Sequence, residues 1–207
     1  QALIDARADL NFANDAGATP LIIAAREGNL EAVQGLIDAM ADLNQATDAG
    51  ATPLFVATQE GHLDIVQALI GARADLNLAW GDGATPLVMA AQNGHLGAVQ
   101  ALVAARADSN AADEGATPLF MAAQDGSRGD GVKGHLGVVQ ALIDAGADLD
   151  LAVEDGPETT QLLVAAPETI SVQNRRKSSL VAIQALIDAR SRFSGGGRRD
   201  AVAYRRA

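Results

Sequence analysis

Three histidines, His62, His95 and His135, are the side chains of this 207-residue chain best suited to moving protons or holding a metal near neutral pH. Each follows a glycine and precedes a leucine: Gly61-His62-Leu63, Gly94-His95-Leu96 and Gly134-His135-Leu136. One residue type at one recurring place is expected of scaffolding and unexpected of a single active site. The reading is therefore a hydrogen bond at a helix start, and units stacked about 10 Å apart would keep the three rings from sharing one metal. Carboxylates are plentiful, but Asp42, Asp75, Asp108 and Asp148 fall in repeated turns, where Asp bonds its own backbone. The chain has no cysteine, which excludes thiol catalysis, disulfides and Cys-ligated zinc. Gly129-x-Gly131-x-x-Gly134 has the spacing of a dinucleotide fingerprint, yet no strand precedes it and no βαβ unit surrounds it. Arg128-Gly129-Asp130 matches an integrin-binding tripeptide, a match that chance supplies often. Asp125 and Asp130 with loop carbonyls could attract calcium, but EF-hand spacing is absent and a solvated loop accounts for them. No catalytic, cofactor-binding or metal-binding residue is assigned, and the chain reads as a non-enzyme.

The elements that carry these residues are repeats. Thr-Pro-Leu begins at Thr19, Thr52, Thr85 and Thr117, at intervals of 33, 33 and 32 residues. Small residues follow at Ala24-Ala25, Ala57-Thr58, Ala90-Ala91 and Ala122-Ala123, and a glycine lies nine positions after each Thr, at Gly28, Gly61, Gly94 and Gly126. A second apolar block, such as Leu63-Val66-Leu69-Ile70, has the spacing of one helical face. Ala-Asp-Leu-Asn then leads towards Gly17, Gly50, Gly83 or Gly115 and reads as a turn or hairpin. Thr can cap a helix, Pro fits its first turn, and Gly ends it. Helices of about 8–10 residues are marginal in water alone, so the units must stack into a solenoid.

Gly-Ala-Thr-Pro-Leu, Ala-Ala, Gly-His-Leu and Ala-Asp-Leu-Asn at this period resemble the ankyrin repeat family across Asn11 to Asp150. The resemblance implies an all-α solenoid of stacked helix-turn-helix units with projecting β-hairpins or turns. It also implies non-catalytic protein binding through hairpin tips and a concave inner-helix face. Two departures stand out. The family's usual His after Thr-Pro-Leu is replaced by Ile22, Phe55, Val88 and Phe120, and its usual Gly after the second helix by Arg7, Met40, Arg73 and Arg106, with Gly146 fitting. A non-Gly residue in a left-handed conformation costs roughly 1 kcal/mol.

The expected organisation is one repeat domain over residues 1–193. It holds a half-repeat at 1–11, repeats starting near 15, 48, 81 and 113, an insertion at 127–134 read as a Gly-rich surface loop, and a degenerate cap at 155–193. The leading half-unit suggests a fragment of a longer polypeptide. A Gly/Arg-rich tail fills 194–207. Residues 1–174 carry 24 acidic and 6 basic side chains, a balance of −18, whereas 175–207 balance at +7. An acidic body repels nucleic acid, leaving only the basic tail as a weak candidate for it. No apolar run approaches the roughly 20 residues of a membrane span.

By the family resemblance, the candidate partner-binding residues are the pairs ending the first helices, Arg26, Glu27, Gln59, Glu60, Gln92, Asn93, Gln124 and Asp125, and the tip residues Trp80, Asp82 and Glu114. Each helix-end pair has the alternative reading of a solvated polar face. Trp80 is either an exposed anchor or a ring packed under its own hairpin. The expected partner is another protein offering a basic or amphipathic segment, bound by a monomer without cofactors in the cytoplasm. The alternatives are a targeting or substrate-recruitment segment of a larger enzyme, and a bacterial effector acting inside a host cell.

Overall fold

Every described Thr-Pro-Leu triplet opens a helix, and for the expected reason. In the computed structural model, which describes residues 9–81, 83–111, 117–125 and 132–147, the Thr19, Thr52, Thr85 and Thr117 hydroxyls accept from the amides of Ile22, Phe55, Val88 and Phe120 at 3.2–3.3 Å. These bonds satisfy backbone donors that the first helical turn leaves open. The helices so begun are α1 (Pro20–Arg26), α3 (Pro53–Glu60), α5 (Pro86–Gln92) and α7 (Pro118–Asp125). Each is followed by a second helix: α2 (Leu30–Asp38), α4 (Leu63–Gly71), α6 (Leu96–Ala104) and α8 (Val132–Asp144).

Packing is translational. Helices α1, α3, α5 and α7 form an inner layer, each against the next, and α2, α4, α6 and α8 form an outer layer in the same way. Between the layers lie Leu21, Leu54 and Leu87 from inner helices, and Val33, Val66, Val99, Leu69, Leu102 and Leu142 from outer ones, all fully buried. Alanines such as Ala25, Ala57 and Ala91 line the contact and let the backbones approach. Thr58 stands where other units have alanine. It is tolerated in the interior because its hydroxyl donates to the Phe55 carbonyl at 2.7 Å. The architecture is the all-α helix-turn-helix solenoid that the sequence implies, and among the described residues no helix is long and apolar enough to cross a membrane.

The outer helices end alike. The amides of Met40 and Ala41, Arg73 and Ala74, Arg106 and Ala107, and Gly146 and Ala147 close paired bonds to carbonyls three and five residues back. The first residue of each pair is left-handed, at φ 64°, 66°, 68° and 81°. This is a helix stop that favours glycine, and it is filled by glycine only at Gly146.

Backbone bonds close the connecting turns. Thr47 donates to the Ala51 carbonyl at 3.0 Å and Gly50 to the Thr47 carbonyl at 2.8 Å, and the turns at 14–18 and 80–84 repeat the pattern. Among the described residues the one strand-like pairing is an isolated antiparallel bridge, Trp80 to Ala84. A second polar ladder joins unit to unit. The side-chain oxygens of Asn11, Asn44 and Asn77 accept from the amides of Asp42, Asp75 and Asp108, each 31 residues on, at 2.8–2.9 Å.

Two expectations need correction. The histidines do not cap their own helices: neither His62 nor His95 makes a side-chain bond at its helix start. The insertion is not a loop to its end, because α8 begins at Val132, so 132–134 are helical. Gly134 is accommodated there at a cost of about 1 kcal/mol, while each added residue brings another backbone bond. Residues 1–8 of the half-repeat at 1–11, the cap at 155–193 and the tail at 194–207 lie outside the described residues, as does the rest of the insertion.

Candidate functional site

Three places recur from unit to unit along the inner helices and the turns that precede them. The first is the helix end. Arg26, Glu27, Gln59, Glu60 and Asn93 are exposed and Gln92 is half-buried. The second is the turn tip, where Asp15, Ala16, Asp48 and Ala49 are exposed. The third, midway along each helix and four residues after its capping Thr, is an apolar row: Ile23, Val56, Met89 and Met121. Ile23 is 42% exposed and Val56 only 3%, while Met89 and Met121 are half-buried.

The histidines explain how the helix ends are held. Nε2 of His62, His95 and His135 lies 3.1, 3.2 and 2.8 Å from the carbonyl oxygens of Arg26, Gln59 and Gln92 in the preceding unit. A carbonyl can only accept, so Nε2 carries the proton and donates. Each bond anchors the last turn of the neighbour's inner helix, where carbonyls lack intrahelical partners. The rings lie over Gly28, Gly61 and Gly94. At Gly61, φ is 76° and a Cβ would come within 2.7 Å of the His95 ring. Asn93 adds a bond of its own, its side-chain nitrogen donating to the Gln59 carbonyl at 3.1 Å. In the first of these units Asn29 replaces histidine and caps α2 instead, its oxygen accepting from Ala32 at 3.0 Å.

Trp80 is half-buried rather than free at a tip. Its ring stacks on Phe55 with centroids 5.6 Å apart and planes at 28°. With Met89, Met121 and Ala51 it packs on a second apolar cluster made of Ala18, Ile22, Phe55, Val56, Ala84 and Val88. Asn14 and Thr47 occupy the equivalent place in the earlier turns, and their side-chain oxygens accept from Ala18 and Ala51 at 2.9 and 3.0 Å. Tryptophan has no acceptor to offer, so this turn is secured by ring stacking instead.

The structure therefore gathers Arg26, Glu27, Gln59, Glu60, Gln92 and Asn93 on one face and puts Trp80 at its turn edge. Asp82 and Glu114 lie outside the described residues, as do the side chains of Gln124 and Asp125. The apolar row was not singled out from the sequence, although its signal is there: an apolar residue recurs four places after every capping Thr. Among the described residues no group of three His, Asp or Glu side chains could hold a metal ion.

Among known families, the chain matches the description "Ankyrin repeats (3 copies)" over residues 1–79 and 72–153. No curated protein matches it.

Proposed function

From the premise that the chain belongs to the ankyrin repeat family, whose members are generally protein–protein interaction modules, we propose that it is a non-catalytic scaffold. It grips a partner protein through its turn tips and inner-helix face. The observation that carries this reading is a partly open apolar row between exposed tip residues and exposed helix ends, with Ile23 exposed, Met89 and Met121 half-buried, and Val56 buried between them. The face is also held in place. Side-chain bonds from His62, His95 and His135 to backbone carbonyls fix the helix ends that carry Arg26, Gln59 and Gln92, so little ordering is left to be done on binding.

Asp15, Asp48, Glu27 and Glu60 make the described part of this face acidic, with Arg26 as its one described cation, which suits a basic or amphipathic partner segment. The same charge disfavours nucleic acid. The chain acts as a monomer in the cytoplasm, without a cofactor. The test is affinity capture from native lysate by three forms of the full chain: wild type, an inner-face variant (Gln59→Ala, Glu60→Ala, Gln92→Ala) and an outer-face variant (Gln34→Ala, Gln67→Ala, Gln100→Ala). The expected result is one protein retained by wild type and outer-face variant and lost from the inner-face variant at unchanged circular dichroism. Equal retention by all three would refute the assignment.

A further inference from the structure

The inner face has a period as well as a chemistry. Its apolar row opens at Ile23, Met89 and Met121, with Val56 buried in the second unit, and helices packed 8–10 Å apart make that row roughly 24–30 Å long. Carboxylates border its first two units on both sides: Asp15 and Asp48 at the tips, Glu27 and Glu60 at the helix ends. From Ile23 to Glu27 is four residues of helix, an offset of about 6 Å. Within this border Arg26 sits beside Glu27, and the third unit has the neutral Asn93 at the place of Glu60.

Resting on the protein-binding reading above, we propose that this face takes a basic amphipathic α-helix of its partner, laid along the stack with one heptad per repeat. An α-helix advances about 10.5 Å in seven residues, close to one unit of the solenoid. A heptad therefore returns the same side chains to each successive unit. An apolar stripe flanked by Lys or Arg on both edges sets its centre on the Ile23–Met121 row, and the long basic stems reach outward to carboxylates on either side. An extended strand cannot do this, because its side chains alternate between two opposite faces and half of them would point away. Spanning the described row takes a helix of about 16–20 residues.

Two synthetic 21-residue peptides of identical Leu, Lys and Ala composition test the proposal. One has Leu at heptad positions a and d and Lys at e and g; the other has the same residues rearranged to spread Leu around the helix. Trp80 is the only tryptophan of the chain, and it stacks at the edge of this face, so its fluorescence reports titration of either peptide into the full-length protein. The heptad peptide should bind at least tenfold more tightly than the rearranged one. Ile23→Ser and the pair Glu27→Gln/Glu60→Gln should each weaken it threefold or more. Glu31→Gln/Asp64→Asn, which removes the same charge from exposed positions on the outer helices, should leave it unchanged. Equal binding of the two peptides, or indifference to Ile23→Ser, would overturn the proposal. If a lysate protein is captured through the inner face and the heptad peptide fails to displace it, the helix assignment falls while the protein-binding reading stands. Capture indifferent to the inner-face variant would instead sink that reading.

Discussion

Replacing Met40 with glycine should make this protein more stable, although methionine is the better packing residue and glycine the more flexible one. Met40 sits at φ 64°, just after α2, and is 86% exposed, so its side chain contributes almost no burial. Holding an L-residue in the left-handed region costs about 1–2 kcal/mol. Glycine removes that cost and returns about 0.4–1 kcal/mol of it through greater freedom of the unfolded chain. The net gain is about 0.5–1 kcal/mol, a rise of roughly 1–4 °C in melting temperature for a chain of this size. Arg73→Gly relieves a φ of 66° at an equally exposed place, but it also removes a cation from a helix C-terminus. That cation is worth about 0.3–1 kcal/mol in the helix dipole, so Arg73→Gly should gain less than Met40→Gly. Salt screens the dipole term, so the gap should narrow as ionic strength rises. Gly146→Ala is the reverse experiment. Its φ is 81° and no described residue lies within 4 Å of the added Cβ, so the expected loss of about 1 kcal/mol is conformational. Urea titrations followed by circular dichroism at two salt concentrations measure all three. A lower midpoint for Met40→Gly, or a neutral Gly146→Ala, would refute the reasoning.

Three further outcomes follow from the same geometry. His95→Ala should cost about 1–2 kcal/mol for the lost bond to the Gln59 carbonyl, and Gly61→Ala more, through ring clash and positive φ together. A double-mutant cycle of the two should be clearly non-additive, because the ring that the new methyl strikes is gone. Asn77→Ala removes the acceptor of the Asp108 amide and should cost about 1 kcal/mol in urea unfolding, with Asn44→Ala matching it because the bond is the same. Trp80→Ala should lower stability by about 1–2 kcal/mol through loss of the Phe55 stack and part of the ring's burial. Phe55→Leu should shift the fluorescence of folded Trp80, which a solvent-facing ring would not do.

How much of this was legible depends on how far apart the interacting residues lie. The Thr caps and left-handed stops are local, so Thr52 as a cap could be read from sequence spacing and Arg73 as a left-handed stop from the place where the family resemblance expects glycine. The role of the histidines could not. Their acceptors lie 36 residues back for His62 and His95 and 43 for His135, in another unit, and helix-start spacing pointed to the wrong partner. The Asn44 ladder crosses units in the same way, and only the turn within each unit was visible. Trp80 shows a different limit. Periodicity places it at a turn, but its stack on Phe55 depends on two departures from the repeat pattern meeting in adjacent units. The start of α8 was misjudged because Gly134 was read as a break, whereas a helix can carry one glycine through.

The histidines and the candidate contact residues are parts of one device. Arg26, Gln59 and Gln92 each belong to the proposed binding face and each accept, through the backbone carbonyl, from the next unit's histidine. A solenoid has only nearest-neighbour contacts, so each unit's helix ends can be steadied only by the units beside it. The repeat answers this by putting a clamp at or near the start of α4, α6 and α8 and the clamped residue at the end of α1, α3 and α5. His95→Ala should therefore weaken partner binding without touching the partner, by loosening the backbone of Gln59 and Glu60. Binding at raised temperature would separate this from a direct contact, since a loosened helix end loses affinity faster on warming than an intact one. If His95→Ala lowers stability and leaves affinity unchanged at every temperature, the clamp serves the fold alone and the face needs no such support.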